Sequence, residues 1–351
     1  MAGISASALQ AVKLKATDQV QDKSAPLYTI SNESIEKEEE RRAYFFSTGL
    51  DQWYKELEDV TIPTTFLTLS PDEAREIVSY WTQYYCHKSS HDPILDESDI
   101  KIPPALDSLV ERISKMISTF SPDDGVFVKL STRSPKDSHI AFARAVKVYK
   151  SLPSPSSGND KLITFGDISL DSLRVTNGRE AIKLFISSDR VGEDLEYALE
   201  PGDKDFDARV SIVIRKWVKI PLWSEFRGFV WDGKLTSIGQ YNHPVVFTEL
   251  LGKTEQIKSD LQAFYDRIKT KIPLKRYIID FAWVKDCVYL IEINPFDGEI
   301  VYPASTGLWS WAEDRDHMMR GELTLRVRTE RQSEFVLKKT LDPQWRNVLF
   351  T

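Results

Sequence analysis

Residues 277–296 read YIIDFAWVKDCVYLIEINPF: two apolar, strand-like runs broken by Lys285, Asp286 and Cys287, with one carboxylate in the first run and a Glu-x-Asn triplet in the second. Side chains alternate faces along a strand, so Glu292 and Asn294 share a face, and a three-residue loop at 285–287 predicts Asp280 directly opposite Glu292. Three oxygen-bearing side chains then meet on one surface of an antiparallel hairpin. Facing carboxylates repel unless positive charge lies between them. Two carboxylates and an amide carbonyl, with positions left for water and phosphate, suit magnesium carried by a nucleotide. A hairpin with one wet face shows the same alternation, and the hairpin alone leaves both readings open.

A chain of 351 residues has room, at roughly 150 residues per domain, for two lobes or one large composite domain. Hydrophobic residues make up 41% and charged residues 28%, the balance of a globular protein with a sizeable core. No apolar run approaches the roughly 20 residues needed to cross a bilayer. The N-terminal MAGISASALQAVKLKATDQV lacks the apolar centre of a signal peptide, so a cytoplasmic protein without a membrane partner is expected. Two cysteines, Cys86 and Cys287, fit a reducing compartment. A formal net charge of -7 argues against nucleic acid as a partner, since broad binding needs surplus Lys and Arg to displace counterions. Any anion site is therefore expected to be a local basic cluster.

Residues 1–45 are expected to form a mostly disordered arm, because Ser, Ala, Lys, Glu and Gln outweigh large apolar residues there and cannot offset the entropy of ordering. Toward its end IEKEEERRAYFF begins a solvated, charged helix. An N-terminal α/β subdomain is expected over 46–120: a strand within VTIPTTFLTLS, a helix over SPDEAREIVSYWTQYY with an N-cap serine, a proline and early acids, and an amphipathic helix over LDSLVERISKMISTF. A central lobe follows over 121–209. There GVFVKLS reads as a strand, TRSPKDS as a turn before the helix HIAFARAVKVYKSL, SLPSPSSGND as a flexible loop, and the stretch after REAIKLFISSDRV as an acidic loop. Residues 210–351 form the C-terminal lobe. It holds the strand VSIVIRKWVKI, the hairpin EFRGFVWDGKLTSIGQYN turning at Asp232 and Gly233, a helix over about 249–269, the opening hairpin, and a polar tail with the extended run ELTLRVRTE.

Several cations stand in these strands. Lys129 lies in an apolar strand, where a lysine either snorkels or meets an anion. In Arg215-Lys216-Trp217, alternation sends Arg215 and Trp217 to one face and Lys216 to the other. Arg227 stands two residues from Glu225, and a cross-strand ion pair accounts for it without any ligand. Singly these are weak signals, but their order is informative: strand lysine, strand Arg-Lys, Glu-x-Arg hairpin, then Asp and Glu-x-Asn. Phosphoryl chemistry needs cations to cradle a triphosphate and acids to hold magnesium, and successive strands supply both.

That order resembles the ATP-grasp proteins and, more closely, the cell division cycle protein 123 family. The likeness spans most of residues 50–345 and rests on DQWYKELEDVTIPTTFLTL, GVFVKLSTRSPKDS, LFISSD, VIRKWVKIPLWSEFRGFVWDGKLTSIGQYN, IIDFAWV and LIEINPF. The resemblance implies an α+β, ATP-grasp-like fold, two α+β lobes with the nucleotide cleft between them. It also implies an ATP- and magnesium-binding assembly chaperone for the translation initiation factor two complex, engaging its gamma subunit. Carried onto matching positions, it implies that Lys129 and Arg227 contact phosphate, that Arg215, Lys216 and Trp217 line the adenine and phosphate cleft, and that Asp280, Glu292 and Asn294 hold magnesium. The family pattern has aspartate where this chain has Glu292, which keeps the charge and lengthens the reach. TRSPKDS also replaces a segment that in the family usually carries tryptophan, and DGEIVYPASTGLWSW is longer and less acidic than the pattern. Such drift leaves a second expectation, an ATP-grasp carboxylate-amine ligase working through an acyl phosphate. The lack of an obvious nucleophile does not separate the two, because in such a ligase the carboxylate substrate itself attacks phosphorus.

Cys86, His87 and His91 have no fourth donor at standard zinc spacing and are read as a helix end. No Gly-x-Ser-x-Gly elbow, His-Glu-x-x-His helix, P-loop or Gly-x-Gly-x-x-Gly element occurs, which disfavours common hydrolase, metalloprotease and dinucleotide-binding classes. Of the nine tryptophans, Trp309 and Trp311 are expected to brace the hairpins rather than present a partner surface.

Overall fold

The computed structural model describes residues 32–85, 97, 100–120, 124–296 and 306–350. Residues 1–31 of the expected disordered arm, and the Cys86, His87 and His91 group, lie outside the described residues. From Asn32 onward the arm is helical: α1 (Asn32–Ser47) carries the charged run, and Phe45 and Phe46 in its last turn are buried, so the helix is held by packing rather than solvated throughout. In α2 (Leu50–Leu57) the buried residues Leu50, Trp53 and Leu57 recur at helical spacing. Strand β1 (Thr64–Leu67) starts just after Pro63, which has no N–H to donate to a ladder and only accepts, from Lys216 N at 2.9 Å. In α3 (Pro71–Tyr84) the Ser70 hydroxyl accepts from Glu73 N at 3.2 Å while Ser70 N donates to the Glu73 carboxylate at 2.9 Å, a reciprocal capping box. Helix α4 (Asp107–Ile117) buries Leu109, Val110, Ile113 and Ile117.

The first sheet has the order β1-β4-β2-β3, entirely antiparallel, with β2 (Val126–Leu130), β3 (Arg174–Val175) and β4 (Ile212–Lys216). It gathers strands from all three segments expected as separate units over 46–351. Helices α5 (His139–Ser151), α6 (Gly158–Asp171), α7 (Gly178–Ile186), α8 (Asp189–Leu199) and α9 (Phe206–Arg209) stand between β2 and β4. Two expected loops are corrected here. Ser157 accepts from Asp160 N at 3.2 Å and starts α6 within the expected flexible stretch. Ser188 accepts from Val191 N at 3.2 Å and starts α8 over the expected acidic loop, whose Val191, Leu195 and Ala198 are buried at helical spacing.

The second sheet has the order β8-β7-β5-β6-β9, with β5 (Glu225–Trp231), β6 (Lys234–Gln240), β7 (Tyr277–Val284), β8 (Cys287–Pro295) and β9 (Thr324–Arg326). Only the β6–β9 pair is parallel. Asp232 and Gly233 turn β5 into β6 with φ of 48° and 75°, as the sequence predicts. Helices α10 (Thr254–Ile268), α11 (Arg315–Arg320), α12 (Glu334–Thr340) and α13 (Pro343–Phe350) complete this lobe. Trp309 is buried and donates its indole N–H to the Ile238 carbonyl at 2.9 Å, and half-buried Trp311 packs on Trp231 and Phe296; both brace the sheet.

Alternation along β4 divides its side chains between two interiors. Ile212 and Ile214 join a core with α3, α4, α7 and α8, whereas Val213 joins a second core with α2, α6, α10 and the apolar face of the second sheet. The polar face of the second sheet carries Glu225, Arg227, Asp280, Glu292 and Asn294. Lys129 and Arg215 reach it from the first sheet. No helix among the described residues is long and apolar enough to cross a membrane.

Candidate nucleotide and metal site

The loop between β7 and β8 has two residues, not three: Val284 pairs with Cys287, and Lys285 and Asp286 take φ of 51° and 60°, the left-handed pair of a type I′ turn. Continued without interruption, that turn sets Asp280 opposite Ile291. Instead Phe281 pairs with Leu290 and Asp280 with Glu292, so Ile291 is the extra residue of a β-bulge. The expected facing of Asp280 and Glu292 is therefore present, reached through a shorter turn and a bulge. The bulge also turns the Ile291 carbonyl to Arg215, whose Nη1 donates to it at 2.9 Å.

All three predicted metal ligands converge. The Asn294 amide lies 3.3 Å from Asp280 Oδ2 and 3.5 Å from Glu292 Oε2. Two predicted phosphate ligands close on the same carboxylates: Arg227, paired with Asp280 in the ladder, donates to both its oxygens at 2.8 and 2.7 Å, and Lys129 forms an ion pair with Glu292 from the other lobe. Lys129 does not snorkel; it is 2% exposed. Burial would raise the Glu292 carboxyl, but the Lys129 and Lys136 charges outweigh it and hold the pKa at about 2. Burial lowers the Lys129 ammonium, partly opposed by Glu292, and raises the Glu225 carboxyl. Arg227 keeps its charge firmly, since its partner Asp280 outweighs the cost of burial.

Arg215 is 4% exposed. Besides Ile291 it donates from Nη2 to Thr61 Oγ1 at 2.6 Å, and Thr61 in turn donates to the Leu290 carbonyl at 2.6 Å, so it ties the first sheet to the edge of the second. Among the described residues its Nε has no partner and no carboxylate pairs with it. Burial pushes its pKa down to about 10, only partly opposed by the Glu292 charge, as for a guanidinium with no carboxylate bonded to it. Arg215, exposed Lys216 and half-buried Trp217 line one cavity of about 110 Å³ with Phe127, Ile220 and Ile291. Three of the eight predicted residues line this cavity, and the other five form the cluster beside it, joined to it through Arg215 and Ile291.

Four further residues belong to it. Thr61 anchors Arg215, Glu225 and Lys136 line the cavity, and Arg190 acts on Lys129, Lys136 and Glu292 through its charge. Arg190 left a readable signal: it is the second residue of α8, where the helix dipole disfavours a cation. Six cations, Lys129, Lys136, Arg190, Arg215, Lys216 and Arg227, thus stand with three carboxylates, Glu225, Asp280 and Glu292. The surplus is positive, as a polyphosphate requires.

Residues 168–342 match the D123 family model. The chain belongs to this family, that of cell division cycle protein 123. It is 32% identical over 154 residues to the translation initiation factor eIF2 assembly protein of Schizosaccharomyces pombe, covering 40% of this chain and 45% of that one. It is 24% identical over 287 residues to cell division cycle protein 123 of Yarrowia lipolytica, covering 77% and 67%. The match to the eIF2 assembly protein of Xenopus laevis, 29% identical, spans 44% of that protein, so the chain aligns with less than half the length of several relatives. The structure of Cdc123 from Schizosaccharomyces pombe superposes with a TM-score of 0.54 at 21% identity, over 81% of this chain and 97% of that one. The fold of this D123 family member is the α+β one expected from its sequence, shared with that Cdc123 structure.

The donor set fits magnesium chemically: two carboxylates and an amide within hydrogen-bonding reach of one another are hard oxygen donors, and rotating the Asn294 amide presents its oxygen. Asp280, Glu292 and Asn294 would hold such an ion, which would screen the phosphates' charge. Arg227 and Lys129 now neutralise the two carboxylates, and both cations lie where released charge can pass to phosphate oxygens.

Proposed function

We propose that this chain binds ATP with Mg2+ in the cleft between its sheets and acts in the cytoplasm as an assembly chaperone for the translation initiation factor eIF2, engaging the gamma subunit. The observation that carries the nucleotide reading is Arg215, a buried guanidinium with an unpartnered Nε and no carboxylate, set beside a cluster in which cations outnumber acids. A buried cation with no carboxylate bonded to it is costly, and a phosphate supplies such a partner. The chaperone reading is supported by membership of the D123 family and by relatives named as eIF2 assembly proteins. In this reading Lys129, Arg215 and Arg227 bind and orient the phosphates, Lys216 and Trp217 border the base, and nucleotide holds the lobes in the form that captures the partner.

The test is capture of the recombinant gamma subunit by the tagged full chain, with and without MgATP. Capture is expected to strengthen with MgATP and to weaken at least tenfold for Asp280→Ala, which removes a metal ligand and the carboxylate that Arg227 holds. Equal capture by the variant and by nucleotide-free protein overturns the nucleotide-dependent mechanism; no capture at all overturns the partner.

A further inference from the structure

Lys136 stands in the Thr132–Ser138 turn, a segment in which the predicted site residues do not include it. Its backbone is fixed from several sides. Asp137 accepts from the Ser188 hydroxyl at 2.6 Å and from Arg190 N at 2.9 Å. Arg133 donates to Asp194 at 2.7 Å and to Glu193 at 3.1 Å, and the Thr132 hydroxyl donates to Asp194 at 2.5 Å. The turn is thus bound to the start of α8 by several polar contacts, and the Lys136 side chain projects from it. That side chain is exposed, yet it lines the cavity of Arg215, Trp217 and Glu225.

Its ammonium reaches across the cleft to Tyr241, just after β6. Nζ is 3.5 Å from the phenol oxygen and 5.1 Å from the ring centroid, while the Arg227 guanidinium lies 4.8 Å from the same centroid. One ring thus serves two cations, and a phenol at 3.5 Å is a weak partner for an ammonium. The Tyr241 hydroxyl, then Glu225 and Glu292, raise the Lys136 pKa, so it is charged at neutral pH. A charged lysine on a fixed turn, held across a cleft by a weak contact, can exchange that contact for a stronger charged acceptor at little cost.

We propose that Lys136 is a further phosphate-binding residue, parked on Tyr241 when the cleft is empty and transferred to a phosphate oxygen of the nucleotide when it is filled. This rests on the nucleotide reading of the cleft. A plain surface tether is the competing role, and the two differ in what Tyr241 does. If Lys136 is only a tether to Tyr241, removing either end has the same effect. If it is a phosphate ligand, Tyr241→Phe leaves affinity for ATP unchanged or raises it, because it removes the competing oxygen and keeps the ring under Arg227.

The experiment is calorimetric titration of the full chain with ATP at millimolar magnesium, for wild type, Lys136→Ala, Lys136→Arg and Tyr241→Phe, with thermal melting to verify folding. The expected result is a loss of about tenfold in affinity for Lys136→Ala, the scale of one charge-assisted contact, with most of it restored in Lys136→Arg and none lost in Tyr241→Phe. Wild-type affinity in Lys136→Ala, or equal losses in Lys136→Ala and Tyr241→Phe, overturns the proposal and leaves the nucleotide reading standing. A wild type that binds no ATP overturns both.

Discussion

At the scale of single residues the site is a set of exchangeable ion pairs. Glu292 is held against Lys129, a lysine with almost no exposure, and removing one partner of such a pair costs about 3 kcal/mol because the other charge is left buried. Glu292→Gln is expected to lose that much stability at pH 7 by urea denaturation. The Glu292 pKa falls from 4.5 to about 2 on folding, so its contribution is whole above pH 4.5 and is lost as pH falls toward 2. The stability gap between wild type and Glu292→Gln should therefore close across that window; a gap constant from pH 6 to 2.5 contradicts the pairing. Each cation taken alone was ambiguous in the sequence, since a strand lysine either snorkels or pairs and Arg227 had a carboxylate two residues away. Which carboxylate each one meets depends on contacts across 163 and 53 residues of chain, and no local pattern encodes them.

At the scale of elements, the facing of Asp280 and Glu292 was legible and its route was not. The alternation of apolar and polar residues carries the register, but Lys285, Asp286 and Cys287 read equally as loop, and the bulged Ile291 is apolar like its neighbours. The turn then carries a strain that can be relieved. Lys285 and Asp286 both occupy left-handed backbone, where a side chain other than Asn or Gly is disfavoured by about 1 kcal/mol. Replacing them with Asn-Gly is expected to raise the free energy of unfolding by about 1 kcal/mol and to leave nucleotide affinity unchanged, because the turn is far along the hairpin from the bulge. A stabilised variant with altered affinity would show that the turn and the bulge are coupled. Helix α6 was hidden for a different reason: its start, Ser157-Gly158-Asn159-Asp160, has the composition of a loop, and Asn159 earns its place through tertiary bonds to Val246, at 3.1 and 2.8 Å.

At the scale of the whole molecule, the cleft is a joint at the polar face of the second sheet, with Arg215 and Lys129 crossing to it from the first sheet. The order of cations and acids along the chain foreshadowed this, because each came from a successive strand; that β1, β2 and β4 share one sheet did not follow from their spacing. A nucleotide bound there contacts both lobes and therefore stabilises the assembly of the two rather than either alone. Ligand at about 100 times its dissociation constant adds roughly 2.7 kcal/mol to the folded state, which at this chain length corresponds to an increase of several degrees in melting temperature. MgATP is expected to produce that increase in wild type. Asp280→Ala, with Arg227 left without its carboxylate, should melt lower and shift little with MgATP. ATP without magnesium should shift the wild type less than MgATP, since Asp280 and Glu292 then confront the phosphates unscreened. Equal shifts with and without the metal would separate the phosphate cradle from the carboxylate pair and remove the reason for their convergence on one face.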